Sequence, residues 1–162
     1  MDFVSTYKTN RLLQGDVIYA LYEDLHHNIW VGTSQGLKQL NPQTQKVRKY
    51  TISDGLPSNS ISAIEGDANG NLWISTNFGI SRFNPSTQTF VNFYASDGLQ
   101  GNEFSKGVSF ASTKGEIIFG STSGITYFNP GEITSPNKKP EIRITDFYVH
   151  DKAVRLGMKS GR

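Results

Sequence analysis

The chain is built from short apolar runs broken by turn residues. Val17 to Tyr22, Asn28 to Thr33, Gly36 to Asn41 and Lys46 to Tyr50 are rich in Val, Ile, Tyr, Trp and Leu. Runs of this length between Gly, Asn, Asp and Pro predict β-strands, here strands A, B, C and D of one sheet. No segment holds a 3.6-residue apolar period for three turns, so no long helix is predicted.

The pattern repeats. Asn28-Ile29-Trp30-Val31-Gly32-Thr33 recurs as Asn71-Leu72-Trp73-Ile74-Ser75-Thr76, and again as Glu116-Ile117-Ile118-Phe119-Gly120-Ser121. Asn41-Pro42 recurs at Asn84-Pro85 and Asn129-Pro130, and Ser53-Asp54-Gly55-Leu56 recurs at Ser96-Asp97-Gly98-Leu99. The first step is 43 residues and the second 45, with the two extra residues between Phe104 and Ser112. A period in this range, with Trp and Gly at fixed columns, marks a propeller blade. The expected fold is therefore all-β: consecutive four-stranded β-propeller blades.

Turn chemistry supports the division. Asn69-Gly70 and Lys114-Gly115 sit where A–B hairpins need positive φ. Asn-Pro-x-Thr opens the C–D turn at Asn41 and Asn84, Pro presetting φ and Asn bonding its own backbone. Trp30 and Trp73, beside the small residues Gly32 and Ser75, read as packing between adjacent sheets.

Phe3 to Tyr7 aligns with strand D, Lys46 to Tyr50, so the chain opens with the outer strand of a blade whose other strands are absent. Two full blades follow, then a third with strands A to C. After Asn129-Pro130 the period stops, and Gly131 to Pro140 reads as a linker. The expected division is a partial propeller at 1–137 and, at 138–162, a linker and the first strand of a sandwich domain.

Composition narrows the classes. The absence of Cys excludes disulfides and thiolate metal sites. Residues 1–25 contain no signal-peptide core, and no run is long enough to span a membrane as a helix. Residues 1–137 carry nine basic and eleven acidic groups, whereas 138–162 carry seven and three. That basic tail lacks aromatic interleaving, so it reads as a solvated end and no nucleic-acid partner is expected.

The candidate chemistry is sparse. Asp67 to Asn71 resembles the start of a calcium loop, but Leu72 stands where such a loop needs Gly and Phe78 where it needs Glu. The Asp-to-Trp spacing of Asp67 and Trp73 is one longer than in a sialidase Asp-box. Gly120 to Gly124 has Thr where a nucleophile elbow needs Ser. His26, His27 and His150 show no ligand spacing, and no carboxylate pair can be placed across a cleft. No catalytic residue, metal or cofactor is expected. Ligand candidates lie where D–A connections and B–C turns meet at one mouth: Gln35, Asn59, Asn77, Phe78, Asn102 and Ser123. Amides and hydroxyls there suit sugar hydroxyls, and Phe78 can stack on a sugar ring; the alternative is that Asp-Gly-Leu is simply a fold-setting turn.

Ile61, Ile64, Asp67, Gly70, Leu72, Trp73, Ile74, Thr76, Gly79, Ile80, Asn84 and Pro85 resemble the two-component regulator propeller repeat, with Ser75 in place of a Gly. The third unit resembles the terminal blade of such sensors, and Pro140 to Val154 the entry to their immunoglobulin-like domain. The resemblance implies the periplasmic sensor region of a Bacteroidetes hybrid two-component regulator. There, propellers respond to glycan-derived oligosaccharides and signal through a membrane helix to a histidine kinase. Alternatives from other classes are a propeller glycosidase or lyase fragment, and a self-assembling structural or binding module. Three blades are too few for a ring, so a dimer is expected, each copy lending its first strand to the other's third blade.

Overall fold

The computed structural model describes residues 15–133 and two short strands near the C-terminus. Three sheets follow one another along the chain. The first contains β1 (Ile18–Glu23), β2 (Ile29–Thr33), β3 (Gly36–Leu40) and β4 (Val47–Tyr50). The second contains β5 (Ile61–Gly66), β6 (Leu72–Thr76), β7 (Gly79–Asn84) and β8 (Thr89–Phe93). The third has three strands, β9 (Phe104–Ala111), β10 (Ile117–Ser121) and β11 (Gly124–Phe128). All pairings are antiparallel between sequence neighbours. Among the described residues these are two four-stranded propeller blades and one of three strands, with boundaries within a residue of those expected for the first unit.

Beyond the blades, β12 (Tyr148–Val149) and β13 (Lys152–Ala153) form a small hairpin. The start of the expected linker, Gly131 and Glu132, lies in a single 3-10 turn, Pro130–Glu132; the expected outer strand at Phe3 to Tyr7, the rest of the linker from Thr134 to Pro140 and most of the expected sandwich strand lie outside the described residues.

The seams between blades hold the core. Trp30 of the first blade packs edge-on against Phe83 of the second, with ring centroids 5.6 Å apart, and also meets Tyr50 at 5.9 Å. One unit later, Trp73 meets Phe128 at 4.6 Å and stacks on Phe93 at 5.6 Å. Both indoles are buried. The small residue two positions after each Trp has a steric reason: a Cβ on Gly32 would lie 2.7 Å from the Ile61 side chain of the next blade.

The B–C turns are equally constrained. Gly36 and Gly79 have φ of 130° and 95°, and a Cβ on either would lie 2.5 Å from the carbonyl oxygen of Tyr50 or Phe93. The two extra residues of the third unit are absorbed in β9. Its pairing to β10 shifts between Ser109 and Phe104, and Gly107 takes φ 70°. This bulge projects toward the first blade, placing the Lys106 ammonium 3.9 Å from the Tyr19 ring centre.

Two stability outcomes follow from the seams. Trp30→Ala should lower unfolding stability by about 3–5 kcal/mol in urea denaturation, the usual cost of emptying a large aromatic site. Ser75 occupies the Gly32 column, is fully buried, and its hydroxyl has no hydrogen-bond partner among the described residues. Ser75→Ala should therefore raise stability by about 1 kcal/mol, because it removes an unsatisfied buried polar atom.

Candidate functional site

The two ends of the blades carry different chemistry. At the A–B end, Asp24 organises its turn. Its carboxylate accepts from the backbone N–H of His26 and Asn28, each at 2.9 Å, from the Asn28 amide, and from the Trp30 indole Nε1 at 2.8 Å. Asp67 does the same one unit later, accepting from Asn69 and Asn71 backbone N–H at 2.9 Å and from Trp73 Nε1 at 3.0 Å. A buried indole needs an acceptor for its N–H, and this carboxylate supplies it while closing the hairpin. The third blade has lost both partners together: Ser112 replaces the Asp and Ile118 the Trp. The Ser112 hydroxyl still accepts from the Glu116 backbone at 3.1 Å, so the turn survives without an indole to satisfy.

Between these turns lies a cavity of about 230 Å³ bordered by Tyr22, Asp24, His26, Asp67 and Asn71. Its carboxylates are engaged in the turns. Among the described residues, no three His, Cys, Asp or Glu side chains converge as metal ligands.

Burial opposes ionisation of Asp24, but the hydrogen bonds from Asn28, Trp30 and His26 outweigh it and hold the carboxyl below its ordinary value of 3.8. Asp16 is likewise lowered, first by its hydrogen bond from the buried Lys38, against the opposing effect of burial.

At the opposite end, B–C turns and D–A connections form one rim. Ser34 N–H donates to the Val17 carbonyl, Asn77 N–H to Ser60, and Gly79 N–H to Asn102. The rim brings the six sequence-derived candidates onto one end of the arc, but it divides them. The Asn59 and Asn102 side-chain oxygens accept from the backbone N–H of Ile52 and Ala95 at 2.9 and 2.7 Å. Those bonds brace the single-turn 3-10 helices Ile52–Asp54 and Ala95–Asp97. Asp54 and Asp97 close the same turns through Thr51 and Tyr94 N–H. Gln35, Asn77, Phe78 and Ser123 instead have exposed side chains. Phe78 stands half exposed with its ring 5.6 Å from that of Tyr94, and Ser123 lies beside Gly101. Asn77 and Phe78 thus adjoin the connection that ends near Ser123, while Gln35 sits one blade away.

Residues 55–78 match the two component regulator propeller family. This stretch runs from the first D–A connection through the Asp67–Trp73 clamp to Phe78 at the rim. That stretch is a two-component regulator propeller repeat. Histidine kinase P4 of Formosa agariphila is 31% identical over 140 residues, 86% of this chain and 7% of the kinase. The extracellular domain of the hybrid two component system BT3049 from B. thetaiotaomicron is 30% identical, with a TM-score of 0.70 over 86% of this chain and 20% of that one. The extracellular domain of BT4673 from the same organism, 24% identical with a TM-score of 0.59, covers 69% of this chain and 15% of its own, and shows the fold alone. The chain thus spans 7% of the length of the kinase and a fifth of the BT3049 domain.

Within the regulator propeller repeat, the Asp–Trp clamp is the element that inspection of motifs missed. Its signal was present: Asp precedes Trp by the same interval in two units, and both are lost in the third. A pH measurement isolates it. The stability that ionised Asp24 contributes is complete above 3.8 and is lost as pH falls through its lower folded value. Asp24→Asn should be less stable than the parent at pH 7, and the gap should narrow on acidification to pH 2. A constant difference in urea midpoint across that range would contradict this role.

Proposed function

We propose that the chain is a non-catalytic piece of an extracytoplasmic sensor region that signals through a histidine kinase and responds to glycan-derived oligosaccharides at the periplasmic face. The observation that carries the signalling class is the 30% identity to a two-component extracellular domain over 86% of this chain. Fold alone would not suffice, because propellers host many activities. A binding role is supported by the rim, where the exposed Phe78 offers an apolar ring face beside the amide of Asn77. Such a ring packs against the apolar face of a sugar, while neighbouring amides and hydroxyls meet its hydroxyls. Catalysis is not part of this reading: Asp24, Asp54, Asp67 and Asp97 are committed to turns.

The test is calorimetric titration of the chain with a panel of neutral and acidic plant, algal and host oligosaccharides. Phe78→Ala should weaken a positive interaction about tenfold, near 1.4 kcal/mol, with an unchanged melting temperature. Lack of binding across the panel would overturn the glycan reading and leave the repeat assignment standing.

A further inference from the structure

The hairpin that holds Trp73 depends on one carboxylate. Asp67 Oδ1 accepts from the backbone N–H of Asn69 and of Asn71, each at 2.9 Å, while Oδ2 accepts from Trp73 Nε1 at 3.0 Å. The main chain between those two N–H groups consists of Asn69 and Gly70, and the Gly70 N–H donates to the Asp67 carbonyl at 3.1 Å. An atom added to the main chain at this point would separate two donors that must reach the same oxygen.

Asn69-Gly70 is the single Asn-Gly pair in the sequence. Asparagine is a chemically labile side chain, and a following glycine, with no Cβ, leaves the approach of its own amide nitrogen to the asparagine Cγ unhindered. Gly70 lies at φ 78°, with nothing within 4 Å of the place a Cβ would take. Several asparagine side chains of the blades are held in place. Asn71 bonds Asp67, Asn92 bonds Ser81 and Gly55, and Asn59 and Asn102 brace the 3-10 turns. Asn69 is exposed, and among the described residues its side-chain amide has no hydrogen-bond partner. Asn77 is exposed as well, but the bulky Phe78 follows it. The neighbouring hairpins carry His26-His27 and Lys114-Gly115 at these two positions, so the pair belongs to the second blade alone.

We propose that Asn69 is a site of spontaneous deamidation, and that its isoaspartate product releases the Asp67 clamp on Trp73. The Gly70 nitrogen bonds to Cγ of Asn69 as the Cγ–Nδ2 bond breaks, and the amide group leaves as ammonia with the Gly70 proton. A cyclic imide remains, which water opens. Attack at Cγ restores the main chain and leaves an aspartate. Attack at the main-chain carbonyl carbon of position 69 leaves the chain running through Cβ and Cγ, as isoaspartate with one extra main-chain carbon. The net change consumes water and releases ammonia, and no oxidant or reductant takes part. The aspartate product alters only an exposed side chain. The isoaspartate product places its extra carbon between the two N–H groups that share Asp67 Oδ1. The carboxylate then loses one of them, and with it the position that serves the Trp73 indole against Phe93 and Phe128. The Gly70 N–H must first leave the Asp67 carbonyl, so the folded chain reacts more slowly than an unstructured peptide of the same sequence.

The 162-residue chain, kept folded at mildly alkaline pH, should acquire isoaspartate at position 69. The readouts are peptide mass spectrometry and labelling by isoaspartate-specific methyltransferase with S-adenosylmethionine. Asn69→Gln, aged in the same way, should take no label at that position. The aged fraction carrying isoaspartate should unfold at a lower urea concentration than both the parent and freshly prepared Asn69→Asp, which has the new charge without the extra carbon. No isoaspartate at position 69 in the aged parent would overturn the modification site. An aged fraction that unfolds together with Asn69→Asp would overturn release of the clamp.

Discussion

The indoles of Trp30 and Trp73 meet two demands at once. The ring must fill the seam between blades, against Phe83 in one case and Phe128 in the other. The N–H must find an acceptor, and it finds Asp24 or Asp67 across the A–B hairpin. The same carboxylate takes two backbone N–H groups, so turn closure and seam packing are one interaction. A blade whose hairpin is misformed would misplace its Trp, and a blade without its Trp would not seal against its neighbour. The third unit, where Ser112 and Ile118 stand together, is consistent with that coupling.

Because the seams carry the core, the rim is released from it. The turns at the B–C end are held by short backbone and side-chain bonds: Thr33 and Thr76 hydroxyls donate to the Gly36 and Gly79 carbonyls at 2.8 and 2.9 Å. These brace the turn from within and leave the outward side chains unconstrained. Asn59 and Asn102 belong to the bracing, while Asn77, Phe78, Ser123 and Gln35 project from it. A rigid scaffold with variable turn residues is the arrangement expected of a recognition surface.

A propeller blade is a sheet with two apolar faces, and neither can be left in water without cost. The middle blade is covered on both sides and contributes the best-buried residues, among them Ile61, Ile74, Ile80 and Phe83. Among the described residues, the outer two are covered on one side, and Ile18 and Leu21 at one end and Ile125 at the other are exposed.

Much of this was legible in the chain alone. The repeat, the four-strand division, the hairpin glycines and the buried Trp column rest on local signals: apolar runs of strand length, and residues whose φ preferences set the turns. What tertiary structure decided were the partnerships across space. Asp24 and Asp67 are ordinary turn residues until the indole six positions on is seen to reach them. Asn59 and Asn102 look like ligand amides until the fold sets their oxygens on Ile52 and Ala95 N–H. The two extra residues of the third unit had no assigned place until β9 bulged at Gly107. Local sequence encodes backbone direction; whether a polar group is spent on the scaffold or left free depends on which neighbour the folded chain brings to it.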